Sequence, residues 1–250
     1  SVADRALLAD TLRRVAAKRF DAFEVAHATG LRLVWEVERA RWLEAIERFL
    51  VSGVADGGSA LPALLEAAFG LDSKVSRLRL DLGGRCIEVE GKIDRVDVDT
   101  TTNTASVYDY KTGKAGKRWP YVAGGRRLQL PLYALAVEQV LRPGVRVTRA
   151  AYLHCRPGDE PEEIGATNVW SGPDEPELHR VLGGIVTAIE RGIFFANAGA
   201  GDDVCGTCDV RLVCGIGAGL EQRFERKFTD PAATIYFDLD AKQPEPGGGA

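Results

Sequence analysis

The fold is decided by Gly91-Lys92-Ile93-Asp94-Arg95-Val96-Asp97 and by Val107-Tyr108-Asp109-Tyr110-Lys111-Thr112-Gly113 shortly after it. Residues 85–99 and 105–111 have strand composition. The turn-rich Asp99-Thr-Thr-Thr-Asn-Thr104 between them makes the pair a β-hairpin. Side chains alternate across a strand, so Val107, Asp109 and Lys111 share one face while Tyr108 and Tyr110 share the other. A carboxylate and an ammonium therefore point into the same space, and Asp94 on the neighbouring strand is placed to join them.

Two carboxylates about 4 Å apart repel by about 4 kcal/mol at an effective dielectric of about 20. A divalent cation relieves that repulsion, and hard oxygen ligands at a strand end suit Mg²⁺, or Mn²⁺ in its place. The lysine then has work the metal leaves undone: orienting a water, holding a phosphate oxygen or stabilising developing negative charge. A plain surface hairpin with an Asp–Lys ion pair is the competing account, worth at most about 1 kcal/mol.

Three blocks in this order, Gly-Lys-Ile-Asp-Arg-Val-Asp, Asp109-Tyr-Lys-Thr-Gly113 and Gln129-Leu-Pro-Leu-Tyr133, resemble the PD-(D/E)XK nuclease superfamily, and within it the RecB/AddB-type helicase-nuclease domain. The resemblance runs over residues 66–227. It implies an α/β, restriction-endonuclease-like core: a central mixed β-sheet flanked by helices, with a C-terminal cysteine-rich clamp. It also implies that Asp94 and Asp109 bind Mg²⁺, that Lys111 assists phosphodiester hydrolysis, and that Gln129 and Tyr133 support substrate and lysine. Glu66, in Leu61-Pro-Ala-Leu-Leu-Glu66-Ala-Ala-Phe69-Gly70, matches a further metal ligand placed on an upstream helix. The expected activity is Mg²⁺-dependent exonucleolytic hydrolysis of DNA in repair and recombination. Helicase domains would lie on a longer chain or a partner subunit, and the setting would be cytoplasmic and nucleoid-associated. A nuclease-like module that binds DNA or a partner without cutting it is the alternative.

With 45% hydrophobic and 27% charged residues in 250, the composition is that of a globular domain with a sizeable core. No run approaches the roughly 18 apolar residues of a membrane span. The start, Ser-Val-Ala-Asp-Arg, is unlike a signal peptide. Methionine is absent even at position 1, which reads as a piece of a longer chain. The net charge of −4 argues against indiscriminate binding of nucleic acid. From Lys111 to Val137, however, there is no acid, while Lys114, Lys117, Arg118, Arg126 and Arg127 accumulate there. That segment suits phosphate contact through counterion release, with Trp119 and Tyr121 available to stack on unpaired bases. A solvated loop is the other reading.

Residues 1–60 are expected as an N-terminal helical segment, 61–200 as the nuclease core, 201–228 as the cysteine clamp and 229–250 as a tail. Pro62 is expected to open a short helix carrying Glu66, closed by Gly70. A strand near 75–80 turns at Gly83-Gly84 into the motif hairpin, with Cys86 a buried thiol. Residues 126–141 read as a helix burying Leu128, Leu132, Leu135 and Ala136, which Pro131 tolerates if the helix begins near Leu130. Residues 145–154 read as a strand, 156–176 as a loop, and 178–193 as an amphipathic helix ending near Gly192. His27 matches no metal motif and reads as ordinary.

Cys205-Gly-Thr-Cys208-Asp-Val-Arg-Leu-Val-Cys214 is C-x₂-C-x₅-C, a metal-binding spacing for which zinc with a fourth Cys or His is the generic occupant. The nuclease resemblance implies a [4Fe–4S] cluster instead. Its fourth cysteine has no counterpart before Cys86.

Overall fold

The computed structural model describes residues 2–27, 29–55, 60–71, 74–111, 122–154, 162–163 and 176–194, with 209–210, 213, 222, 225–231, 233–235 and 239 further on. The helices are α1 (Val2–Ala26), α2 (Arg32–Ala55), α3 (Gln129–Ala136) and α4 (Pro176–Glu190). The strands are β1 (Leu61–Phe69), β2 (Leu78–Asp81), β3 (Cys86–Val89), β4 (Gly91–Asp99), β5 (Thr104–Lys111), β6 (Arg146–His154) and β7 (Glu162–Glu163). Two compact units emerge. One comprises Ser1–Ala68, Lys92–Arg118 and Val145–Thr167, and the other Phe69–Gly91, Trp119–Gly144 and Asn168–Ala250.

In the first unit α1 and α2 form a hairpin with Gly30 between them at φ 74°. Trp35 meets the Phe23 ring at 5.5 Å and the edge of Phe20 at 6.0 Å. Arg39 bonds Glu24 at 2.7 Å and Asp21 at 3.0 Å. Trp35 is thus a packing residue, and His27 stacks on Phe23 at 4.2 Å.

A five-stranded sheet follows, in the order β1-β4-β5-β6-β7. β4 and β5 are antiparallel, with Arg95 opposite Tyr108 and Asp99 opposite Thr104. Asp99 closes the connecting turn by accepting from the Thr101 backbone N–H at 2.8 Å, as an aspartate at a turn start does. β5 and β6 are parallel, Asp109 beside Tyr152 and Lys111 beside His154. Parallel neighbours need a crossover, and α3 lies in that connection. β7 is antiparallel to β6, so the sheet is mixed, and helices precede, interrupt and follow its strands in the chain. The hairpin is as the alternation predicts: Ala105, Val107 and Asp109 are buried on one face of β5.

The segment Leu61–Phe69 departs from expectation. It is an edge strand, where its composition predicts a helix. Leucines and alanines favour a helix locally, but pairing against β4 overrides that weak preference. Pro62 sits near the start of an edge strand, where a missing N–H removes no ladder bond. Gly70, at φ 65°, does end the element. A Cβ there would lie 2.5 Å from that of Glu90, so the turn needs glycine. β7 likewise falls in a stretch expected to be loop.

In the second unit β2 and β3 form their own antiparallel pair, Leu80 opposite Ile87. Residues 85–99 are therefore two strands, not one, and Glu90 between them accepts from the Arg77 guanidinium at 3.0 Å. Cys86 is exposed on this pair, not buried, with its sulfur 3.7 Å from Arg79. α3 starts at Gln129, which puts Pro131 in the first turn, where backbone N–H groups lack helical partners anyway. Its buried residues are Leu130, Pro131, Ala134, Leu135 and Ala136, a stripe shifted from the predicted Leu128 and Leu132, and a π-helical turn over Val137–Leu141 follows. α4 buries Leu178, Val181 and Leu182. It ends on Gly192 in a Schellman arrangement, with Gly192 N–H bonding Ile189 O at 3.0 Å and Ile193 N–H bonding Ala188 O at 2.9 Å. Leu239, in the stretch read as a tail, is buried and accepts from Arg180 at 3.3 Å.

Candidate active site

Register builds the site. The β4–β5 ladder places Val96 opposite Val107 and Arg95 opposite Tyr108. One step further along the hairpin, Asp94 comes abreast of Asp109. Asp94 is fixed there, its Oδ2 accepting from the Tyr110 backbone N–H at 2.7 Å. Asp109 is 4% exposed and ion-paired to the Lys111 ammonium, two residues along the same strand face. Burial pushes the Asp109 carboxyl above the usual carboxylate range, the Lys111 bond pulls it back, and the negative charge of Asp94 pushes it up again.

Glu66 and Lys92 extend this face. Lys92 alternates with Asp94 on β4 and pairs with Glu66 on β1. That hydrogen bond, assisted by the field of Asp94, holds the Lys92 ammonium above the ordinary lysine range. Glu66 sits at φ 52°, a left-handed conformation that is costly for a residue with a Cβ. Three carboxylates, Glu66, Asp94 and Asp109, thus stand against two ammonium groups, Lys92 and Lys111. One negative charge is left over, and the oxygen-only donor set with a raised, buried carboxyl fits a hard divalent cation. Glu66 is tied to Lys92, however. Among the described residues no three His, Cys, Asp or Glu side chains are gathered closely enough to hold a metal.

Two further residues on this sheet complete the surroundings of Lys111. Tyr152, beside Asp109 on β6, presents its ring 4.9 Å from the Lys111 ammonium. Neither Tyr152 nor Lys92 stands out in the sequence reading. Strand alternation from Asp94 reaches Lys92, whereas Tyr152 follows only from the parallel register.

Gln129 and Tyr133 belong to the second unit. They face the same way on α3, as their spacing predicts, and Gln129 Nε2 donates to Tyr133 Oη at 3.2 Å. Tyr133 also packs against the head of β4. A Cβ on Gly91 would lie 3.3 Å from the Tyr133 ring and 3.0 Å from Phe69, which explains the glycine opening that strand. Arg126 is exposed and Arg127 half-buried. Lys114, Lys117, Arg118, Trp119, Tyr121, Cys155, Cys205, Cys208 and Cys214 lie outside the described residues.

Asp94, Asp109 and Lys111 thus gather on adjacent central strands of a mixed sheet. The profile of the PD-(D/E)XK nuclease superfamily matches residues 2–215, and the chain belongs to that superfamily. It is also similar to an ATP-dependent helicase/deoxyribonuclease subunit of Moorella thermoacetica, 38% identical over 82 residues, which is 32% of this chain and 7% of the relative. The corresponding protein of Desulforudis audaxviator is 39% identical over 100 residues, 38% of this chain and 8% of the relative. The chain therefore spans under a tenth of the length of these relatives. A solved structure, that of SSO0001, aligns over 81% of this chain and 96% of its own at 15% identity, with a TM-score of 0.35. Among the described residues no helix is long and apolar enough to cross a membrane.

Proposed function

We propose that this chain is a divalent-cation-dependent deoxyribonuclease module, acting on DNA ends as part of a longer helicase-nuclease or beside a helicase partner. The observation that carries this reading is the single strand face that joins Asp94, Asp109 and Lys111. The relatives' names supply the substrate class and the helicase association.

Asp94 and Asp109 would hold Mg²⁺ or Mn²⁺, with Glu66 as the further ligand once it exchanges Lys92 for the metal. The bound cation supplies positive charge against the charge that builds on the phosphate. Lys111 donates hydrogen bonds to a phosphate oxygen or to the attacking water, and Asp109 keeps its ammonium on the reacting side of the strand. Gln129 and Tyr133 form a paired donor and acceptor on α3 for orienting substrate. Arg126 and Arg127, together with Lys114, Lys117 and Arg118, would neutralise the DNA backbone. Cys205, Cys208 and Cys214 would hold a [4Fe–4S] cluster or, in the generic alternative, zinc. The visible absorption of anaerobically purified protein separates the two.

The Glu66–Lys92 pair favours a second reading, a nuclease-like module that binds DNA without cutting it, because it withholds one carboxylate from the metal. Digestion of linear single- and double-stranded DNA with Mg²⁺ decides between them, with Asp109→Ala and Lys111→Ala as controls. Equal activity in wild type and both variants ends the catalytic reading.

A further inference from the structure

The geometry points to Tyr152 as a positioning residue for Lys111: its ring forms the floor on which the lysine ammonium rests beside Asp109. The inference builds on the nuclease reading for its consequence, while the placement itself is independent of it. Three observations converge. The parallel β5–β6 register sets Tyr152 directly beside Asp109, on the strand face that also carries Lys111. The Lys111 ammonium lies 4.9 Å from the ring centroid, within cation–π range. Tyr152 is itself buried, 9% exposed, so the ring is held by the sheet and does not follow the lysine about.

A lysine has four rotatable side-chain bonds, and an ion pair to one carboxylate leaves its ammonium a wide arc. The arc matters because an ammonium that folds down over Asp109 neutralises the carboxylate without reaching substrate. The Tyr152 ring, on the neighbouring strand beside Asp109, narrows that arc further. The ammonium is then held against both groups, where on the nuclease reading it would meet a phosphate. The ring's negative face also offers attraction without accepting a proton, so Lys111 keeps its donors for substrate. The role assigned to the ring is to act through the lysine.

Four variants and one resonance test this. Tyr152→Leu keeps an apolar side chain and removes the ring. It should lower kcat for Mg²⁺-dependent DNA digestion about tenfold, the loss of one partly desolvated cation–π contact, with KM for DNA little changed. Tyr152→Phe keeps the ring and should recover most of that loss. Adding Tyr152→Leu to Lys111→Met should lower activity no further than Lys111→Met alone, since the ring then has nothing to position. Independently of activity, the Lys111 ε-methylene NMR signal should be shifted upfield by the ring in wild type and Tyr152→Phe. In Tyr152→Leu it should return to the ordinary lysine position. Equal losses in the Phe and Leu variants, additive loss with Lys111→Met, or an unshifted wild-type signal would each overturn the inference. A folded wild type that never cuts DNA overturns the nuclease reading alone, and the resonance then decides the placement.

Discussion

The two faces of the β4–β5 hairpin use the same strands and alternate residues, yet they solve opposite problems. On one face Arg95 grips Asp97 with two bonds of 2.6 Å each and lies over the Tyr108 ring at 5.5 Å, while Arg149 approaches the same ring at 5.8 Å. Asp97 is buried but meets a bidentate partner, and the pairing raises the affinity of the Arg95 guanidinium for its proton further above an already high value. On the other face Asp109 is equally buried, but burial and the neighbouring Asp94 outweigh its lysine. The first face is closed upon itself. The second sets two carboxylates, Asp94 and Asp109, about the Lys111 ammonium, the arrangement for which a cation site is proposed above. On the proposed function, adjacent residues of one hairpin would divide the labour of holding the fold and binding a ligand.

The sharpest way to break this comparison is to swap what each face loses. Asp109→Ala and Lys111→Ala should each reduce DNA digestion by about 10²-fold or more. Asp97→Asn should leave the turnover of the folded fraction nearly unchanged. Comparable losses on both faces would dissolve the division. Next in size comes stability. Arg95→Met strands a buried carboxylate and should cost about 3 kcal/mol in urea denaturation, and the double variant Arg95→Met with Asp97→Leu should be less unstable than Arg95→Met alone. A double variant worse than both singles would mean that the pair contributes net stability.

Asp109→Asn tests the opposite sign on the other face. Because the folded protein holds Asp109 above its ordinary range, the charged carboxylate opposes folding. The penalty is absent below the unfolded value and sets in as pH rises through the folded one. In chelator, Asp109→Asn should therefore be more stable than wild type at neutral pH, with the difference closing in acid. A variant less stable at neutral pH would place Asp109 with the structural charges. The smallest effect is expected at Glu66. Glu66→Gly relieves the left-handed backbone and should raise the unfolding midpoint slightly. It should also raise the Mg²⁺ concentration needed for half-maximal cleavage. An unchanged Mg²⁺ requirement would remove Glu66 from the metal site.

Local alternation made the hairpin legible: the face shared by Val107, Asp109 and Lys111 follows from period two alone, and the pairing of Gln129 with Tyr133 from helical spacing. Wherever a long-range pairing decides, the sequence misleads. Leu61–Phe69 reads as a helix because its leucines and alanines prefer one, and only the edge of β4 makes it a strand. Cys86 reads as buried because strand cysteines usually are, but the separate two-stranded sheet leaves it exposed. Tyr152 was invisible for the same reason, since nothing local links it to a residue over forty positions earlier.

The parallel pairing of β5 with β6 has a kinetic corollary. Asp109 and Tyr152 can meet only after the chain between them has closed a long loop, α3 included, and contacts of that separation form slowly. The antiparallel hairpin can assemble on its own, so the carboxylate pair should form early and the lysine's aromatic seat late. During refolding the ability to bind a cation should therefore return before the ability to cut.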